Sequence, residues 1–316
     1  MRVLITGVTG FVGRHLARCC GEAGAEVAGT ARRGADPFPE AVSEYVMADL
    51  TSAREAAAAV GSVRPDRVFH LAAAASVARS WQDPTAIMTT NVSSTANVLE
   101  AVREHAPGCR VLLAGSGEQY GPAKPSELPV TEETQLRPRN PYATSKVMVE
   151  TLAAFYRDVH GTDIVLTRAF NHVGPGQADT YVVSSFARQL AEAEARGADK
   201  VVVKTGNTAI RRDFTDVRDV VRAYWLALER AAAGTYNVCS GSSPAVADIL
   251  TGLAEHVRLE VEQATDPSLL RAHEVLEIRG SHDKLTEASG WRPEIPLERT
   301  LGDTLEWWRT ELRGCP

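Results

Sequence analysis

Cysteine is scarce and badly arranged for structural use. The five present are Cys19, Cys20, Cys109, Cys239 and Cys315. Their number is odd and no C-x-x-C pair occurs, which argues against both a disulfide framework and a zinc site. The eight histidines are scattered, with no H-x₃-H pair, so no metal site is expected. No apolar run approaches the roughly 20 residues that a membrane span requires. Positive charge is not in excess either: 34 Lys and Arg stand against 40 Asp and Glu, a net charge of −6. That balance argues against general nucleic-acid binding. The opening residues, "MRVLITGVTGFVG", carry one basic residue and an apolar stretch but lack a small-residue cleavage site. No signal peptide is read there, and a cytoplasmic protein without membrane or nucleic-acid partners is expected.

What remains is an ordinary globular composition, 44% hydrophobic and 23% charged over 316 residues. That length supports one large or two moderate domains with a well-filled core.

Strand-like and helix-like segments alternate through the first half. "RVLIT" (2–6), "EVAGT" (26–30), "EYVMADL" (44–50), "DRVFHLAA" (66–73), "CRVLLAGS" (109–116) and "DIVLTRAF" (163–170) read as strands. Helices are predicted over 11–24, 52–62, about 85–105, and from near Asn140. Such alternation means βαβ units, hence an α/β fold: a Rossmann-type doubly wound parallel sheet with helices on both faces. After residue 170 the rhythm weakens. Pro-Gly turns separate helices near 181–196, 217–232, 244–256 and 297–312, and "TYNV" (235–238) is expected to return to the main sheet. The boundaries read as residues 1–170 for a dinucleotide-binding domain, with segments near 215–240 returning to it. Residues 171–316 then form mainly a smaller α+β substrate lobe.

Gly7, Gly10 and Gly13 form G-x-x-G-x-x-G between the first strand and the first helix, within "TGVTGFVG", which also contains Phe11 and Val12. Glycines at this spacing let the chain turn tightly and bring backbone N–H groups against a pyrophosphate at the positive end of a helix. An NAD site normally ends its second strand with a carboxylate for the ribose 2′-hydroxyl. Here the strand ends "GTARRG", and Arg32 and Arg33 suit a 2′-phosphate, so NADP(H) is the expected cofactor. Asp49 and Leu50 are placed to flank the adenine. Leu71, Ala72 and Ala73, in "HLAAAAS", end the fourth strand with small residues that let backbone lie close to the cofactor.

In "NPYATSK", Asn140 is a helix N-cap and Pro141 suits the first helical position. Tyr142 and Lys146 then share a helix face. A phenol is a poor acid or base at neutral pH. A nearby ammonium, together with a nicotinamide ring that is cationic when oxidised, is expected to lower its pKa so that it can exchange a proton with a substrate oxygen. Ser116, at the C-terminal end of its strand, could bond the same oxygen. Glu118, two residues on, could be a second acid or base.

Taken together, "TGVTGFVG", "HLAA", "GSGEQYG", "NPYATSK", "RAFNHVGPGQ", "RRDFTDVRDVVRAY" and "YNVCSG" resemble the extended short-chain dehydrogenases/reductases that act on nucleotide sugars. "RPRNPYATSK", "FNHVGPGQ" and "RRDFTDVRD" resemble most closely the GDP-6-deoxy-D-mannose reductases, with the GDP-mannose 4,6-dehydratases next. The resemblance implies that Ser116, Tyr142 and Lys146 are catalytic. It implies that Asn171 holds the sugar diphosphate and that Arg212 and Arg279 clamp it. It also implies that Val183 touches the purine, and that the chain is a homodimer formed through the helices near 85–105 and 141–160. The dehydratases carry Ser or Asp before the glutamate of this motif, whereas this chain reads Ser116-Gly117-Glu118. Reduction of a GDP-4-keto-6-deoxy sugar by NADPH is therefore favoured over dehydration or epimerisation with bound NADP. A non-catalytic NADP sensor is disfavoured because Ser116, Tyr142 and Lys146 are all kept.

Overall fold

The computed structural model describes residues 1–32, 39–270 and 275–314. The elements of the first half are β1 (Arg2–Thr6), α1 (Phe11–Glu22), β2 (Glu26–Ala31), β3 (Glu44–Met47), α2 (Ala53–Val63), β4 (Arg67–His70), α3 (Val77–Gln82), α4 (Pro84–Met88), α5 (Ser94–His105), β5 (Arg110–Ala114), α6 (Pro141–His160) and β6 (Ile164–Ala169). The second half adds β7 (Asn171–Val173), α7 (Val182–Ala195), β8 (Lys200–Thr205), β9 (Arg211–Arg212), β10 (Phe214–Asp216), α8 (Val217–Arg230), β11 (Gly234–Val238), α9 (Val246–Ala254), β12 (Glu260–Thr265), β13 (Glu277–Ile278), α10 (Asp283–Ser289) and α11 (Leu297–Gly314).

Seven strands form one sheet in the order β11-β6-β5-β4-β1-β2-β3. All its pairings are parallel. This is the Rossmann-type doubly wound fold that the alternation implies. Its strands are buried on both faces, which is why β1 and β5 read as unbroken apolar runs. One face is packed by Leu16 of α1, by Val220 and Tyr224 of α8, and by Trp291. The other face is packed by Ala56 of α2, Val98 of α5 and Val149 of α6. Each such Val or Leu contributes about 1.5–3 kcal/mol relative to exposure.

The order of the strands reverses between β1 and β4, since β2 follows on one side and β5 on the other. In open parallel sheets that crevice, at the C-terminal ends of the strands, is where a ligand fits. The last turn of β1 and the first residues after β4 face each other there.

The helix expected over 85–105 is broken: α4 and α5 are joined by a π-helical turn, Thr89–Ser93. Its Asn91 makes side-chain bonds to both backbone groups of Ala74 and to Ser145 Oγ, at 2.7, 3.2 and 2.9 Å. A π turn is the local cost of aiming that side chain inward. The second half has its own core, around Phe186, Leu190, Leu250 and Leu301. Paired strands that the sequence reading did not find flank it: β7 with β10 and β9 with β13, of two or three residues each, and β8 with β12, of six residues each. No described helix is long and apolar enough to cross a membrane.

Candidate active site

Gly7 has φ +69° and lies against the start of the segment after β4, where a Cβ would come within 3.0 Å of Ala72 backbone. A Cβ on Gly13 would lie 2.5 Å from Gly7 O, and one on Gly10 would lie 3.2 Å from it. Gly7 and Gly13 are thus required by shape, and Gly10 sits in a tight fit. Gly10 caps α1 with no side-chain hydrogen bond, and no acidic residue sits in the first turn. The first-turn N–H groups of Phe11, Val12 and Gly13 are therefore the open, positive end of a helix. The side chains of Phe11 and Val12 point elsewhere. Val12 packs into the core beneath the sheet. Phe11 stacks on His172, with centroids 6.1 Å apart.

A cavity of about 250 Å³ opens beside this cradle, lined by Gly7, Gly10, Arg32, Asp49, Leu50, Leu71, Ala72 and Ala73 among others. Arg32 is exposed at its edge, whereas Arg33 lies outside the described residues. Asp49 Oδ1 accepts from Thr51 N and Thr51 Oγ1 at 3.0 and 2.8 Å, which holds its carboxyl below the usual range. The Leu50 side chain is buried in the core, so it reaches the cavity only by its edge.

Thr6, His70 and Thr95 fasten the two strand ends. Thr6 Oγ1 accepts from Leu71 N and Ala72 N, both at 3.1 Å. Its hydroxyl proton is then left for His70 Nδ1 at 2.8 Å. Burial drives the His70 pKa down to about 3, with Lys146 adding to the effect, so the ring is neutral. Its Nε2–H donates to Thr95 Oγ1 at 3.1 Å, and Thr95 donates on to Asn91 O at 2.6 Å. Sequence reasoning missed this relay. The histidine of "HLAA" was its only local signal.

Ser116, Tyr142 and Lys146 are brought together, each less than 9% exposed. The Ser116 side chain lies close enough to the Tyr142 phenol to pull its pKa down. Lys146 Nζ donates to Ala114 O at 2.7 Å and stands 5.9 Å from the Tyr142 ring centre. One expectation needs correcting here. Burial is the largest influence on the Tyr142 phenol and pushes its pKa up, against the pull of Ser116, so the expected lowering does not prevail. Burial likewise pushes Lys146 down to about 8. Both groups lose water, so the charged form of each is disfavoured. Asn140 caps α6 by accepting from Ala143 N at 2.7 Å, and its amide donates to Glu118 Oε2 at 3.2 Å. Glu118 is thereby aimed along the same face. Gly117 has a packing reason: a Cβ there would meet the Phe170 ring at 3.0 Å.

Across the crevice, Asn171 is exposed on β7. Arg212 ends β9 opposite Ile278 of β13, one residue before Arg279, so two guanidiniums arise from neighbouring strands. Asp213, fully buried, accepts from Ser240 N, Ser240 Oγ, Gly241 N and Gly280 N, at 2.7, 2.7, 3.0 and 3.3 Å. It holds the segment next to Arg279 in place. Val183, expected beside the purine, lies at the start of α7. Its side chain is 2% exposed and packs inward with Phe186 and Leu250, because the apolar stripe of α7 faces the lobe core. Tyr181, just before α7, is 42% exposed and close enough to Tyr142 to raise its pKa.

The sequence model of the GDP-mannose 4,6 dehydratase family matches residues 4–304. GDP-6-deoxy-D-mannose reductase of Pseudomonas aeruginosa is 34% identical over 313 residues, covering 99% of this chain and 98% of that protein. GDP-mannose 4,6 dehydratase 1 of Arabidopsis thaliana is 29% identical, over 94% of this chain and 87% of that one. The structure of RMD from Pseudomonas aeruginosa complexed with NADPH superposes with a TM-score of 0.85 at 33% identity, covering 98% of this chain and 99% of that one. With the family match running nearly end to end, the chain belongs to the GDP-mannose 4,6 dehydratase family of extended short-chain dehydrogenase/reductase enzymes.

Proposed function

We propose that this enzyme reduces the C4 ketone of a GDP-4-keto-6-deoxy-hexose, using NADPH. The observation that carries the reading is the joint burial of Ser116, Tyr142 and Lys146, with Lys146 one helical turn from Tyr142 and 5.9 Å from its ring centre. The full-length likeness to a GDP-6-deoxy-D-mannose reductase and to a structure complexed with NADPH supports substrate and cofactor.

NADPH, when bound, supplies the hydride. The residues Gly7, Gly10 and Gly13 bring the N–H groups of Phe11, Val12 and Gly13 to its pyrophosphate, and Arg32, with Arg33, takes the 2′-phosphate. Asp49 and Leu50 border the adenine, and Leu71, Ala72 and Ala73 line the ribose side. Ser116 donates a hydrogen bond that orients the ketone oxygen. Tyr142 gives that oxygen its proton, and Lys146 keeps positive charge near the phenol. The raised pKa of Tyr142 suits this direction, because a neutral phenol is the proton donor. Asn171, Arg212 and Arg279 hold the diphosphate, where planar guanidiniums fork onto phosphate oxygens.

Glu118 sustains a second reading. Its carboxylate is close enough to Tyr142 to raise the phenol pKa, so it is within range to act as the base that dehydration of GDP-mannose requires. One assay separates the two. Reduction oxidises NADPH mole for mole with a 4-keto-6-deoxy sugar nucleotide. Dehydration converts GDP-mannose with no net change in cofactor, and that result would replace the first reading.

Residues 1–170, joined by α8 and β11, serve as the cofactor domain, and residues 171–316 serve mainly as the nucleotide-sugar lobe. The enzyme is a cytoplasmic homodimer in this reading. The exposed Met148, Phe155 and Val159 of α6 support the dimer, because they line one apolar face of the helix. Light scattering of the purified protein tests it.

A further inference from the structure

Ser116 ends β5, whereas Tyr142 and Lys146 ride on α6. A shared hydrogen bond to one ketone oxygen requires these two elements to be held at a fixed separation. Gln119 spans the gap. It is fully buried in the turn after Ser116. Its Oε1 accepts from Ser116 N at 2.9 Å, and its Nε2 donates to Glu150 Oε2 at 2.8 Å. Glu150 lies on α6 one turn beyond Lys146 and two turns beyond Tyr142. Arg168 of β6 grips Glu150 by two bonds, Nε to Oε2 at 3.0 Å and Nη2 to Oε1 at 2.6 Å. The guanidinium is 6% exposed and also donates to Tyr120 Oη at 2.9 Å. The amide orientation follows from the partners, since a backbone N–H can only donate and a carboxylate can only accept. Only a side chain with one acceptor and one donor at this reach closes the chain. Room for it comes from Gly115, where a Cβ would stand 2.8 Å from Gln119 Oε1.

We propose that Gln119 is a positioning residue for the reaction, one that locks Ser116 to helix α6 through Glu150 and Arg168 and so sets the distance between the Ser116 hydroxyl and the Tyr142 phenol. This rests on the reading that Ser116 orients the substrate oxygen. Gln119 touches neither substrate nor cofactor. It acts on the rate through Ser116 alone.

The test is a double-mutant cycle with Gln119→Met, Ser116→Ala and the double variant, assayed for NADPH oxidation with the 4-keto-6-deoxy sugar nucleotide. Gln119→Asn repeats the cycle with a polar side chain too short to span both bonds. Gln119→Met and Gln119→Asn are each expected to lower kcat about 10- to 100-fold, the scale of a misplaced catalytic group. KM for the sugar nucleotide and the NADPH Kd should stay within about twofold of wild type, because neither site is touched. In the Ser116→Ala background the same changes should cost almost nothing more, since groups acting as a unit are non-additive. Equal losses in both backgrounds would overturn the inference, as would wild-type kcat in the Gln119 variants. Failure of both to fold would overturn it too, by making Gln119 a structural residue. If Ser116→Ala alone kept full activity, the underlying reading of the site would fall instead.

Discussion

The glycine cradle and the arginine strands present two different surfaces to an anion. On the proposed cofactor side the donors are backbone N–H groups at the open end of α1, and their position is fixed by packing so tight that one extra carbon on Gly13 would collide. On the proposed sugar side the donors are side chains, Arg212 on a two-residue strand and Arg279 just past another, with a single buried carboxylate, Asp213, holding the backbone beside them. The first surface is rigid and indifferent to side-chain identity beyond glycine. The second is adjustable and depends on particular residues. A site of the first kind suits a cofactor common to many enzymes, and one of the second kind suits a substrate that must be told apart from its relatives.

Substitutions sharpen this contrast, the largest effect lying between the two surfaces. Tyr142→Phe should lower kcat for NADPH oxidation by roughly 10²–10⁴-fold, the usual contribution of positioned proton transfer. Its NADPH Kd, read by fluorescence titration, should hardly change. On the sugar side, Arg212→Ala removes a charge-assisted contact of about 1.5–3 kcal/mol and should raise KM for the sugar nucleotide about 10- to 100-fold. NADPH affinity should be unaffected. A parallel loss of both would erase the distinction between the surfaces. On the cofactor side, Arg32→Ala should weaken NADPH more than NADH, by up to about tenfold, because the neighbouring Arg33 keeps part of the phosphate contact.

A smaller effect concerns pH. Lys146 has a folded pKa of about 8 against an ordinary lysine value of 10.5, lowered by burial. Below pH 8 both folded and unfolded chains carry the charge, and its burial cost is fully present. Between about 8 and 10.5 the folded protein has released the proton while the unfolded chain still binds it, so stability rises with pH. The gap in melting temperature between Lys146→Met and wild type should therefore shrink as pH rises from 8 to 10. A gap independent of pH would mean that Lys146 is not desolvated.

How much of this could be read in the sequence follows the same division. The cradle was legible because its requirement is local: three glycines at fixed spacing after one strand. Tyr142 and Lys146 were legible because one helix carries both. Ser116 could be placed, but the Gln119–Glu150–Arg168 chain that ties it to α6 could not, since its members are 31 and 18 residues apart. The inward turn of Val183 was not legible for a related reason. "TYVVSSFARQ" sets Val182 and Val183 side by side after Tyr181, and only the lobe core decides which residues of α7 it claims. Asp213 went unnoticed beside Arg212, because the backbone groups it holds lie at residues 240–241 and 280. The opposition of charge and burial at Tyr142 was misjudged because a sequence shows the nearby cation and not the loss of water.

The central claim is reduction by a neutral Tyr142, with Glu118 doing no chemistry. It is tested most directly by incubating the purified enzyme in deuterium oxide with NADPH and a GDP-4-keto-6-deoxy-hexose, then reading cofactor and product by absorbance and NMR. The account predicts one NADPH oxidised per product and no deuterium introduced at C5. Conversion of GDP-mannose without net NADPH oxidation, with solvent deuterium at C5 and with Glu118→Gln as damaging as Tyr142→Phe, would contradict it.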